Sequence, residues 1–193
     1  MTPEEYRLKC LAKEMPIFPL DLEKLSSFSL KPQTIDFLKI GLPKHLAPYI
    51  SFKTGYKPSN SIETLNRIYD IHDEFEKYVV IGADGSGNPI AINTANDDSV
   101  EWLDHEDYFA GTYFNASIEA MLQFFLIYED FLETIRKENG EDAAINSNFT
   151  DEQFMDMKNK MLFVDAKAVH EPGFWKEELE MELANREYYS SHD

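Results

Sequence analysis

Apolar positions recur at helical spacing most clearly in "NASIEAMLQFFLIYEDFLETIRKENG", where Ile118, Met121, Leu122, Phe125, Leu132 and Ile135 share one stripe. Phe124, Leu126 and Phe131 widen that stripe almost all round, which predicts a central, largely buried helix. Asn115 or Ser117 can cap its first amides, and Gly140 can end it. The next segment, "TDEQFMDMKNKMLFVD", carries Phe154, Met157, Met161 and Val164 on one face behind a Thr150–Gln153 capping-box pattern. A last helix follows in "EPGFWKEELEMELANRE", with Trp175, Leu179 and Leu183 at i, i+4, i+8 and acidic residues on its other faces.

Upstream the rhythm changes. Tyr78–Ile81, Ile90–Asn93 and Val100–Asp104 read as strands separated by "GADGSGNP" and "TANDDS", both rich in turn formers. Connections this short predict an antiparallel meander, because parallel neighbours need long crossovers. A short helix is expected over 4–13, and "KPQTIDFLKIGLP" reads as a helix opened by Pro32 and closed by Gly41 and Pro43. "PYISF" reads as a strand, residues 16–31 as irregular and residues 53–61 as a polar loop. The fold class that follows is α+β: one domain, an antiparallel sheet meander with helices packed on one face and at both termini.

Composition narrows the function classes. The 193 residues are 43% hydrophobic and 13% aromatic, enough for a core. No apolar run approaches bilayer length, and the opening "MTPEEYRLKC" has no apolar signal core. Cys10 is the single cysteine, so no intramolecular disulfide can form, and a reducing, cytoplasmic setting is expected. The net charge of −18 is unevenly spread. Residues 96–107 hold six acidic groups and no Lys or Arg; residues 129–156 hold nine acidic against two basic, and residues 171–193 seven against two. Such a surface repels phosphate backbones and attracts a basic partner.

"YVVIGADGSGNPIAIN" places Gly82, Gly85 and Gly87 around Asp84 and Asn88. A phosphate loop needs a helix after its glycines, and here a strand follows. A calcium loop counted from Asp84 would need Gly at its sixth position and Glu at its twelfth, where Pro89 and Ala95 stand. A hairpin connection remains, its Gly and Asn or Asp residues supplying positive φ. His45, His72, His105, His170 and His192 show no ligand spacing, and with one cysteine no zinc set emerges, so no metal or cofactor is expected. Cys10 has no evident partner base and reads as a structural thiol. Acidic pairs such as Asp97–Asp98 and Glu177–Glu178 admit a glycoside hydrolase, which would require two carboxyls converging across a pocket with one pKa raised. Trp102 admits two readings, a core residue or an aromatic anchor in an acidic interface.

The order of these features resembles the SUKH superfamily, and its fourth subgroup in particular. "IDFLKIGLPKHLAPYISF" resembles its opening segment, "YVVIGADGSGNPIAIN" its glycine-bearing hairpin and "SVEWLDHED" the following strand. "YFNASIEAMLQFFLIYEDF" resembles its "N-x-S" helix, and "DAKAVHEPGFWKEELEMEL" its closing segment. The resemblance covers about residues 35–183 of a single SUKH-like domain over 1–193, with 1–31 as an irregular extension. It implies an α+β domain without catalysis, acting as a bacterial immunity protein that binds and neutralises a toxin, nucleases among them. It supplies no catalytic residues, and it makes Gly82, Gly85, Gly87, Asn115 and Ser117 fold-defining. The partner-binding face expected for a basic toxin is Asp97, Asp98, Glu101, Trp102, Asp104, Glu106 and Asp107, with Glu177, Glu178, Glu180 and Glu182 as a second candidate. A regulatory adaptor with an endogenous partner is the alternative within the same resemblance.

Overall fold

The structure, a computed structural model, describes residues 1–55 and 61–191. Most of the polar loop expected over 53–61, and His192, lie outside the described residues. The chain divides into two compact units, Met1–Leu122 and Gln123–Asp193.

The first unit opens with helix α1 (Pro3–Ala12), started by a capping box between Thr2 and Glu5 and by Pro3 in its first turn. The stretch read as irregular contains a two-residue strand β1 (Ile17–Phe18) and one helical turn, α2 (Leu22–Leu25), capped by Asp21. Leu20, Leu25 and Leu30 from this stretch are buried, which is why it is ordered despite its prolines. Helix α3 (Pro32–Ile40) follows, and β2 (Leu42–Pro43) returns to pair with β1.

The main sheet is antiparallel throughout. Its strands are β3 (His45–Leu46), β4 (Ile50–Phe52), β5 (Glu63–Thr64), β6 (Tyr78–Ala83), β7 (Pro89–Asn93), β8 (Ser99–Asp104) and β9 (Ala110–Asn115). The order is β3-β4-β6-β7-β8-β9, and β5 shares with β4 the same edge of β6. The expected meander is therefore present, lengthened by β9, an edge strand whose first half is exposed and whose "AGT" carries little strand signal.

Both faces of the sheet are buried. Val79, Ile90, Ile92 and Val100 lie toward one side, and Ile81, at a bulge in β6, is also buried. On the other, Tyr78, Val80, Ala91 and Leu103 form a cluster with Leu65, and Ile71, Phe75 and Phe109 pack against it. Leu65 starts the short helix α4 (Leu65–Tyr69), and Phe75 ends a 3-10 turn at Asp73–Phe75. This second face is closed by short segments rather than by a long helix.

The strongest helical signal forms α5 (Ile118–Asn139), and Ser117 rather than Asn115 caps it, accepting from the Ala120 amide at 3.1 Å. Asn115 is fully buried at the end of β9.

In the second unit the rest of α5 is joined by α6 (Asp151–His170) and α7 (Phe174–Ser190). The Thr150–Gln153 capping box forms as the spacing predicts. Trp175 inserts among Phe124, Phe125 and Tyr128, with ring centroids 5.1, 5.2 and 6.3 Å away. Phe149 stacks on Phe154 at 5.6 Å, and the Arg186 guanidinium covers its ring at 4.8 Å. Among the described residues no helix is long and apolar enough to cross a membrane.

Candidate functional site

The six carboxylates of residues 96–107 do not form one patch. Strand β8 runs between them, so Asp97 and Asp98 stand at one end of the sheet and Asp104, Glu106 and Asp107 at the other, about 17 Å apart along the strand.

At the first end the two aspartates have different fates. Both take left-handed backbone angles, φ 59° and 60°. Asp98 is only 2% exposed and its carboxylate accepts from the Lys31 amide and the Thr34 hydroxyl, each at 2.7 Å. Lys31 is the N-cap of α3 and its side chain makes no cap hydrogen bond; from a distant loop Asp98 takes the Lys31 amide, the donor that the third-residue side chain of a capping box would otherwise accept, together with the Thr34 hydroxyl. The Asp97 side chain is 87% exposed and pairs with the Lys31 ammonium, so the fold brings a cation to a segment that has none in sequence.

Within β8, Glu101 faces the Leu103 side. It accepts from the Asn93 side-chain amide at 2.8 Å and holds the Tyr78 hydroxyl. Burial, then the Glu101 charge, push the Tyr78 hydroxyl up to about 12, so it stays a donor. Trp102 lies on the opposite face, partly buried, and its indole N–H donates to Asp84 at 2.8 Å. Of its two readings, the structure makes it a fastener between β8 and the hairpin as well as a partly exposed ring.

The glycine loop is the β6–β7 hairpin. Asp84 accepts from the amides of Ser86 and Asn88 at 2.9 Å, from the Asn88 side chain at 3.0 Å and from Trp102. Burial alone would raise the Asp84 carboxyl, but Asn88, Trp102 and the two amides outweigh it and hold it below its usual value. The Asn88 side-chain oxygen in turn accepts from the His105 amide at 3.1 Å and meets the His105 ring at 2.6 Å. Both Asp84 carboxylate oxygens and the Asn88 side-chain oxygen are thus engaged by protein donors. Gly87 supplies positive φ, 92°, at the turn; at Gly82 a side chain would press to 2.7 Å from the Ser51 carbonyl. Gly85 meets neither requirement and lies beside Tyr49.

The far end of the sheet is thus a pinned set of loops. Asp104 is half-buried and its side chain accepts from the Glu106 amide at 2.9 Å, while Glu106 and Asp107 are exposed. Among the described residues no three His, Cys, Asp or Glu side chains converge to hold a metal. His45, His72, His105 and His170 are exposed. Cys10 is buried, and burial pushes its thiol up, away from the reactive thiolate.

In the second unit, the last helix turns two of its four candidate carboxylates inward. Glu177 and Glu180 are exposed, whereas Glu178 and Glu182 converge on the Tyr128 hydroxyl, which lies 3.2 Å from Glu178. Ser147 donates to the other Glu182 oxygen at 3.1 Å. One hydroxyl proton can serve only one of the two carboxylates at a time. Burial, then the Glu182 charge, raise Glu178 to about 7. Two convergent carboxyls with one raised are what a glycosidase would need, but Glu178 is 7% exposed and Tyr128 fills the space between. The open groove of about 450 Å³ lined by Phe131, Glu138, Gln153 and Asp156 does not include them.

Both inward carboxylates were open to detection. They stand three and seven residues beyond Trp175, on the face that the Trp175–Leu179 stripe buries. The Asp98 role left one trace, a lysine at an N-cap.

No curated protein and no solved structure matches the chain. The family model described as SUKH-4 immunity protein matches residues 14–181. That span takes in the whole main sheet, the hairpin and helices α5 and α6, and it begins upstream of the resemblance seen from 35, including β1 and α2. On this match the chain belongs to the SUKH-4 family.

Proposed function

We propose that this chain is a non-catalytic immunity protein that neutralises a basic protein toxin by tight, non-covalent binding in the cytoplasm. The observation that carries the reading is what remains after the fold has used its carboxylates. Asp84, Asp98, Glu101, Glu178 and Glu182 are engaged internally, while Asp97, Asp104, Glu106 and Asp107 are not enclosed. From residue 78 to residue 135 the chain has no Lys or Arg. A field of this sign speeds capture of a protein with a basic working surface, such as a nuclease groove, and burying that groove stops its action. Membership of a family described as immunity proteins supports the same reading.

The test is co-expression with the protein encoded beside this chain's gene. Growth arrest by that protein alone, relieved by this chain, is the expected result, with a complex whose association slows steeply as salt rises. Arrest that this chain does not relieve overturns the reading, and a neighbouring product without toxicity favours an adaptor.

A further inference from the structure

Two largely exposed tyrosines stand at the far end of the sheet. Tyr49 is 82% exposed and Tyr108 90%. Tyr49 lies in the β3–β4 turn beside Gly85 of the hairpin, and Tyr108 in the β8–β9 loop, which His105 fastens to the same hairpin through Asn88. Both have left-handed backbone angles, φ 56° and 50°, where a bulky side chain is disfavoured and Gly or Asn would fit without cost. Phe109, next in the chain at φ 58°, offsets its conformation by packing 4.7 Å from Tyr69 and 6.0 Å from Phe75. Neither exposed tyrosine has burial to offset its own. Strain retained at a solvent-exposed aromatic points to a role outside the chain.

We propose that Tyr49 and Tyr108 are the aromatic anchors of the toxin-binding surface, with Asp104, Glu106 and Asp107 as its charged rim, and that the Asp97–Lys31 end of the sheet is not part of it. The occupant is a basic protein surface. Asp84, Asp104, Glu106 and Asp107 surround these loops, and no Lys or Arg stands in the turn at 47–49, the hairpin at 84–88 or the loop at 105–109. The loops are held before binding by the Asp84 and Asn88 hydrogen bonds, so little order remains to be imposed. Tyrosine supplies large contact area for few rotatable bonds, which suits it to an anchor. This surface rests on the immunity reading for the identity of its occupant.

The test is the double variant Tyr49→Asn, Tyr108→Asn in the full chain. Asn accepts both backbone conformations, so the melting temperature should hold or rise, and loss of binding cannot be ascribed to unfolding. With the toxin encoded beside the gene as probe, affinity should fall at least about tenfold. Equal binding by wild type and variant overturns the surface and leaves the immunity reading standing. If wild type does not bind that protein, the immunity reading falls. A second arm then decides the surface: titration of the full chain with a deca-arginine peptide, followed by amide chemical shifts. The largest shifts at 84–88 and 104–109 support the surface; the largest at 94–98 or on α7 overturn it.

Discussion

The Asp98 carboxylate lies 2.7 Å from the Thr34 hydroxyl and takes the Lys31 amide with the same oxygen, so a loop of the sheet caps a helix more than sixty residues upstream. Asp98→Ala leaves a buried amide and hydroxyl without an acceptor and should cost about 2–3 kcal/mol. Asp97→Ala, one residue away and at a similar left-handed angle, carries the same backbone cost but removes only an exposed pair, so it should cost about 1 kcal/mol or less. Urea unfolding of the two variants checks the contrast; equal losses would remove the capping role.

The Glu178 carboxyl gives unit two a pH dependence of unusual sign. Its folded value, about 7, lies above the unfolded 4.5. Its contribution is therefore full below 4.5 and is lost as pH rises through 7, by about 3 kcal/mol in all. Glu178→Gln should flatten this part of the profile and stabilise the protein at pH 8. Thermal melts of wild type and variant between pH 5 and 8, in one buffer series, test it.

How much of this was legible follows from reach along the chain. The α5 stripe, the Thr150–Gln153 box and the hairpin are local signals, and each formed where its residues placed it. Asp97 and Asp98 are identical and adjacent; only the arrival of α3 separates an exposed carboxylate from a buried one. The six-carboxylate segment looked like one face because β8 was read as part of it rather than as the spacer between its ends. Edge strand β9 escaped because its exposed half has no alternation to read.

Trp102→Phe removes the donor that ties β8 to Asp84 and should cost about 1–2 kcal/mol. The Asp84 carboxyl loses one of the groups that keep it low, so its titration should move upward. Carboxyl chemical shifts followed through an acid titration check the direction. The variant keeps Trp175 as its one indole, and its emission should report a buried, apolar site.

Reversing charge at the two ends of the sheet separates steering from contact. Glu106→Lys, which changes the net charge by as much as Asp97→Lys does, should slow association with the proposed basic toxin severalfold at low salt. Asp97→Lys should have a much smaller effect, since Lys31 already balances that carboxylate. Stopped-flow association rates across a salt series distinguish the two, and equal slowing by both would assign the effect to net charge alone.

The splitting of the acidic segment by β8 also bears on how such a protein can change its target. One end of the strand is committed to architecture, because altering Asp98 unseats a helix. The other ends in loops whose tip side chains, those of Tyr108, Glu106 and Asp107, are exposed. Substitutions of those side chains leave the Asp98 contacts in place, so on the proposed binding surface a new specificity would lie a few loop residues away while the helix anchor stays as it is.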